Sequence, residues 1–427
     1  MIRYPLSVLA VCMALMLISC EVDTSLTESH PPEPTHSLQA SITAAPDETP
    51  TKAEPFRIAI YTDMPMDEPE IMSIIDADER HKGRIVWQSA FPDSDSVPNF
   101  DGKPQEEREE IMNGLIHSAL QLIEDPSTKA MVFVSAGKLD DPYGFLDKLK
   151  EAHPDMFFFA IDCYPSSLLY GVENCFAAHS DLVLSVDEKK TAIKAVTQAK
   201  RMGATAIVDF TTPDRRYHDI DLMFPGMEES TTRILPEIRE TLRDQCEKLC
   251  ISYYESVDYA KASQWLFHQI GVYEEYGKDI CFLSSNCGSQ MLSDMFVFGR
   301  GIIVQLCHPG LFHVSDIVRW PLGIGEEGFG DLSLKHERME AFVESNGFSG
   351  RFATWRVPFS MAATAAAVEY AIGYQDGEIL NRIDICAMRS CFSKAMEIYD
   401  AGEVGVELQV DTEYDNSFLF TQDYFTY

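Results

Sequence analysis

Apolar and polar positions between Met131 and Pro213 alternate in blocks, and the blocks carry two different periods. Met131-Val-Phe-Val-Ser135 is a short apolar run closed by Ala136-Gly137. Pro142 to Ala152 follows with helical spacing, Phe145, Leu146 and Leu149 on one side and Lys148, Lys150 and Glu151 on the other. Met156 to Ile161 is continuously apolar, as a strand is when both faces of a parallel sheet are covered. Leu182 to Ser185 reads as the next strand. Glu188 to Met202 reads as a helix with Ala192, Ala195, Val196 and Ala199 in one stripe and Gly203 at its end. Ala204 to Phe210 reads as a strand running out into Thr211-Thr212-Pro213. This rhythm predicts α/β architecture with parallel sheets flanked by helices, which bind ligands outside the carboxyl ends of their strands.

The same rhythm extends both ways. Phe56 to Tyr61 and Arg84 to Gln88 read as strands, with helices at Asp67 to Asp78 and Gln105 to Glu124. Beyond Thr212, Glu229 to Cys250 has a long amphipathic pattern interrupted at Pro236. Strands are expected at Ile251 to Glu255, Asp279 to Ser284, Gly301 to Leu306 and Arg351 to Trp355. Helices are expected at Lys261 to Tyr276, Ser333 to Asn346 and Met361 to Tyr374. His308 to Gly330, with five glycines and two prolines, is expected to be a loop. The tail from Glu378 mixes a short helix, Ser390 to Tyr399, with β-prone segments.

The first residues follow a different pattern. Arg3 precedes an apolar run, Leu6 to Ile18, of signal-peptide length and short for a membrane span. It ends in Leu17-Ile-Ser-Cys20, which resembles the lipobox of bacterial lipoproteins and implies lipidation of Cys20 after cleavage. An ordinary signal peptide, or an apolar N-terminal helix with a chance cysteine, is the plainer alternative. Glu21 to Glu54 is rich in Ser, Thr, Pro and Glu without apolar periodicity, so a disordered tether is expected. The division expected is signal peptide 1–19, tether 20–54, a first lobe of 55–186 with 351–378, and a second of 187–350 with 379–427.

Charge and cysteines narrow the field. A formal charge of −34 over 427 residues excludes a nucleic-acid surface, which needs basic side chains. Of 11 cysteines, nine remain beyond Cys12 and Cys20; an odd number leaves at least one thiol free. Cys246 and Cys250 are a helical turn apart and would face the same way, but no neighbouring ligands suggest zinc.

No dinucleotide, P-loop, HExxH or GxSxG motif occurs, and no cofactor or metal is expected. Gly347-Phe-Ser-Gly350 misses the last by its spacing. What the strand-end loops carry is a set of hydrogen-bonding and aromatic side chains: Tyr61, Thr62, Asp63, Ser135, Asp162, Tyr164, Thr211, Asn286 and Trp355. Aromatics supply stacking area and short polar groups fix orientation, a combination suited to a small polar ligand. Turn and cap chemistry accounts for Ser, Thr, Asn and Asp there equally well, and Trp355 is equally suited to fill the core beneath the Ala-rich helix.

Phe282-Leu-Ser-Ser-Asn-Cys287 followed by Gly350-Arg-Phe-Ala-Thr-Trp355 resembles a family of bacterial lipoproteins with a domain of unknown function. Arg57-Ile-Ala-Ile60, Asp181-Leu-Val-Leu184 and Glu247-Lys-Leu249 extend the resemblance over Phe56 to about Ile379. It implies a type I periplasmic-binding-protein fold, two Rossmann-like lobes joined by three crossovers. It also implies a lipid-anchored, solute-binding role at the periplasmic or extracellular face, the ligand being nucleoside-, sugar- or amino-acid-like. An ABC permease or a membrane sensor would be the partner. Rival readings are a surface hydrolase or isomerase using Asp63, Asp162 or His308, and a surface protein that binds another protein with a vestigial cleft.

Overall fold

The computed structural model describes residues 56–62, 71–91, 104–134, 145–161, 179–209, 234–255, 277–283, 301–306, 332–402, 404–411 and 415–427. All belong to one compact unit, residues 55–427. They build two sheets, each covered by helices on both faces.

The first sheet has seven strands in the order β11-β12-β5-β4-β3-β1-β2. These are β1 (Arg57–Thr62), β2 (Ile85–Ser89), β3 (Thr128–Val134), β4 (Phe157–Ile161), β5 (Leu182–Val186), β11 (Val406–Val410) and β12 (Ser417–Gln422). All pairings are parallel except β11 with β12. Strand parity divides the interior in two. Ile58, Ile60, Val132, Phe157 and Phe159 face α1 (Ile71–Arg80), α7 (Phe359–Gln375) and α8 (Ile385–Ile398). Ala59, Tyr61, Phe133, Phe158 and Ala160 face α2 (Gln105–Leu122) and α3 (Phe145–Ala152). Being apolar on both faces, β4 is continuously hydrophobic. Helix α7 is buried on nearly every side, and its alanines let it pass between the sheet and α8.

The second sheet has six strands in the order β13-β10-β9-β8-β6-β7. They are β6 (Ala206–Asp209), β7 (Ser252–Glu255), β8 (Ile280–Leu283), β9 (Ile302–Val304), β10 (Phe352–Trp355) and β13 (Tyr424–Thr426). Only β13 runs antiparallel. On one face Ile207, Cys281 and Ala353 meet α4 (Glu188–Arg201) and α5 (Ile234–Lys248). On the other, Ile303 and Phe352 meet α6 (Leu332–Ser345) and Tyr427. Pro236 sits in the first turn of α5, where its missing N–H has no intrahelical partner to lose, so it does not interrupt the helix.

Three short segments join the sheets. Asp187 follows β5 and caps α4, whose apolar stripe belongs to the second sheet's core. Residues 356–358 follow β10 and lead into α7 on the first sheet. Asp423 alone separates β12 from β13.

Strand pairing corrects the expected division of the chain. The strand 352–355 belongs to the second sheet, not to the first lobe, because it pairs with β9. Most of the tail belongs to the first lobe, not the second: β12 inserts between β5 and β11, and α8 packs on α7. Only β13 and Tyr427 join the second. The tail helix also starts earlier than expected, at Ile385, because Asp384 caps it by accepting from the N–H groups of Cys386 and Ala387 at 2.9 and 3.0 Å. Cys246 is buried while Cys250 lies exposed past the helix end with φ of 54°, so the two do not face the same way. The expected helix at 261–276, the loop at 308–330, the tether and the signal segment lie outside the described residues.

Candidate functional site

Every connection between the sheets departs from a strand's carboxyl end: β5 and β12 in the first, β10 in the second. In a parallel sheet all carboxyl ends share one edge. The carboxyl ends of both sheets therefore meet along a common seam where the crossovers run, the position at which such sheets bind ligands.

On the first-sheet side, β1, β3 and β4 are adjacent and end at Thr62, Val134 and Ile161. The expected contacts Asp63, Ser135, Asp162 and Tyr164 follow these ends in the chain and lie outside the described residues. On the second-sheet side, β6 and β8 are neighbours ending at Asp209 and Leu283. Thr211 and Asn286 follow them and also lie outside the described residues, as does Cys20.

The three expected contacts that are described are all interior. Tyr61 has no exposure; its hydroxyl donates to the Leu115 carbonyl at 3.3 Å and its ring meets Phe133 edge-on at 6.2 Å. Parity turns it away from the seam and under α2. Thr62, equally buried, accepts at its carbonyl from the Ala90 N–H at 2.8 Å. Trp355 has no exposure and packs edge-on against Phe420 at 5.6 Å. It fills the core at the second crossover instead of presenting a face to solvent.

The seam holds polar residues that the sequence reading passed over. Asp209 ends β6 fully buried; Tyr253 donates its hydroxyl to this carboxylate at 2.8 Å, and Arg239 of α5 lies 3.7 Å away. A carboxylate closing an apolar strand was the signal, since buried acids require partners. Gln305, just past β9, is fully buried; its carbonyl accepts from the Tyr424 hydroxyl at 2.8 Å. Gln422 donates its amide to the Val357 carbonyl at 2.5 Å and so ties the third crossover to the second. Its carbonyl oxygen and the indole N–H of Trp355 are buried without a hydrogen-bond partner among the described residues.

Around the first crossover the lobes are bound by charge. Asp187 accepts from the Lys190 N–H at 2.9 Å and from the Gln409 amide at 2.7 Å, while burial pushes its carboxyl above the ordinary value. Lys194 lies 2.7 Å from Glu407 and 2.8 Å from Asp423, and Lys190 lies 2.5 Å from Glu407. These lysines hold the Glu407 carboxyl down at about 2. Among the described residues no group of three or more His, Cys, Asp or Glu is placed to hold a metal ion.

Residues 103–353, more than half of the chain, match the profile of a family described as "Protein of unknown function (DUF3798)". No curated protein matches the chain in sequence. Among solved structures, a protein assigned as a transcriptional regulator from Clostridium difficile 630 superposes with a TM-score of 0.63 at 15% identity. The match covers 87% of this chain and 99% of that one. A sugar ABC transporter from Actinomyces odontolyticus ATCC 17982 gives 0.46 at 10% identity, covering 86% and 94%. A periplasmic sugar binding protein from Legionella pneumophila gives 0.41 at 10%, covering 76% and 97%. The fold is that of type I periplasmic binding proteins: two α/β lobes with parallel sheets and three crossovers.

Proposed function

The chain belongs to the DUF3798 family, and on that premise we propose that it is a solute-binding protein whose two lobes close over a small polar molecule. The observation that carries this reading is the seam: two sheets, joined at carboxyl strand ends, present those ends to one another. Short crossovers permit hinge closure, the usual motion for such an arrangement.

The solute is held by side chains that follow the strand ends, Asp63, Ser135, Asp162 and Tyr164 from the first lobe and Thr211 and Asn286 from the second. Tyr61, Thr62 and Trp355 are buried in the core and do not touch the solute. The buried Asp209 with Arg239 and Tyr253 supplies fixed charge and hydrogen bonding at the mouth of β6, suited to hydroxyl or amino groups on the solute. The site binds without turning its ligand over.

Cys20 carries the lipid that holds the body at the outer face of a membrane, and residues 21–54 are its tether. Several acyl chains make such attachment stable where one does not. A permease or a membrane sensor takes the signal or cargo from the closed form.

The test is mass spectrometry of small molecules released on denaturing protein purified from its own host. A polar metabolite recovered in a constant ratio to protein, and bound unchanged by the stripped protein, supports the reading. Conversion of that metabolite by the protein would overturn it in favour of an enzyme.

A further inference from the structure

The edge of the first sheet opposite the seam carries a feature that solute capture does not use. Among the described residues, large apolar side chains are exposed at only four positions: Leu380 (85%), Ile383 (43%), Val410 (40%) and Ile193 (38%). The first three share that edge. Residues 376–384 form the turn between α7 and α8, and it is fastened there. The Arg382 guanidinium donates to the carbonyl of Met156, just before β4, at 2.6 Å, and the Tyr370 hydroxyl donates to the Asn381 carbonyl at 3.2 Å. Val410 pairs with Phe418 near the start of β12, at the same edge. Ile379 packs inward, so close that a Cβ on Gly373 would lie 3.0 Å from its Cδ1, while Leu380 beside it projects outward. A turn this firmly held that still exposes a leucine is shaped to present it.

The folded body begins at this edge. Arg57 opens β1, bonded through its N–H to the Ser127 carbonyl at 2.8 Å, and Arg84 covers the Phe56 ring at 5.0 Å. About 35 residues separate Phe56 from Cys20, and on the reading of 21–54 as a tether that length would span roughly 30 Å on average. An anchor at Cys20 keeps this edge near the bilayer. The chain is strongly acidic, yet three acids here have arginine partners: Asp125 with Arg57 at 2.9 Å, Asp376 with Arg84 at 3.5 Å, and Asp181 with Arg382 at 2.9 Å. Pairing lowers repulsion from a lipid surface, and the arginine stems suit the interface.

We propose that the pole bearing Leu380, Ile383 and Val410 is a lipid-docking surface that rests on the bilayer to which the chain is anchored. The proposal builds on the reading of Cys20 as the lipid anchor. The patch is too small to recruit the body from solution; it acts because the tether supplies a high local concentration. Docking turns the seam, on the opposite edge of the same sheet, away from the lipid.

Two native thiols report on this. Cys386 is exposed in the first turn of α8, three residues after Ile383, and Cys250 is exposed in the turn before β7 in the other lobe. The lipidated chain is reconstituted in protein-free vesicles of phosphatidylethanolamine and phosphatidylglycerol and treated with a membrane-impermeant maleimide. The Cys20→Ala chain in solution is the reference. Cys386 is expected to react about tenfold more slowly on vesicles, as burial of one exposed leucine permits, with Cys250 unchanged. Replacing Leu380 and Ile383 by Asp should restore the Cys386 rate without loss of flotation. Equal rates at both thiols, or protection that survives the double replacement, would overturn the proposal. So would protection seen in native membranes but not in protein-free vesicles, which would assign the patch to a protein partner. A chain that does not float shows that the anchor reading has failed. The same comparison on a chain with an N-terminal hexahistidine, held by nickel-chelating lipid, then decides the docking surface by itself.

Discussion

Replacing Trp355 by alanine separates a core residue from a ligand platform. The side chain has no exposure, meets Phe420 edge-on at 5.6 Å, and lies where β10 leaves the second sheet for α7 on the first. Truncating a buried tryptophan costs about 3–5 kcal/mol through lost transfer energy and the cavity left behind. Against this stands the buried indole N–H without a partner among the described residues, whose removal relieves about 1 kcal/mol, the lower end for an unsatisfied buried group. The net expectation for Trp355→Ala is a loss of roughly 2–4 kcal/mol. Trp355→Phe keeps a ring against Phe420 and also removes the N–H, so it should change stability by less than about 1 kcal/mol. Urea denaturation followed by far-ultraviolet circular dichroism gives both values, because the midpoint shifts while the slope reports any change in surface exposed. A Trp355→Ala loss below about 1 kcal/mol would refute the core assignment. A Trp355→Phe loss as large as the alanine one would refute the account of the indole N–H.

His336 is buried between the Tyr427 hydroxyl and the Arg356 carbonyl, the latter at 2.7 Å, and burial with the Arg356 charge lowers its pKa to about 4. Its neutral form is the folded one, so its contribution is complete above the unfolded value of 6.5. That contribution is lost as pH falls toward 4, on the order of 3 kcal/mol in total; His336→Gln should flatten stability across this window. Glu369 is held at about 2, chiefly by His81, whose Nε2 lies 3.1 Å from its carboxylate, so its stabilisation is lost only as pH falls from 4.5 toward 2. Asp209→Ala removes the acceptor of the Tyr253 hydroxyl and a counter-charge of Arg239, and should cost about 2–4 kcal/mol by the same urea assay. Thiol titration of the native protein should modify Cys250 and Cys386 ahead of Cys246 and Cys391, whose pKa values burial raises to about 12. Cys20→Ala should abolish partition into detergent phase, and deletion of 21–54 should leave the thermal midpoint within a few degrees.

Local chemistry decided much of this protein, and it is written in the sequence. The continuous apolar run at 157–161 is a strand with two covered faces, and the alanine stripe of 192–199 is a helix face; the Asp384 cap is equally local, though apolar spacing placed its helix only from Ser390. These follow from periods of two and 3.6 residues and from caps, which depend only on neighbours in the chain. The α/β class and the two-lobed fold followed from that rhythm and from the family resemblance. Pairing between distant strands did not. Phe418 and Phe420 would suit either sheet, and only the slot beside β5, some 230 residues earlier, placed the tail in the first lobe. The same limit applies to the site. Tyr61 and Trp355 stand at strand ends where an aromatic serves equally as platform or as core, and parity against α2 and the packing of Phe420 made them core. Asp209 looked like one more strand residue until Tyr253 and Arg239, brought from other elements, gave its charge a place. A sequence states what each side chain can do, but which partner it meets depends on contacts made across the whole chain, and those exist only once the sheets have formed.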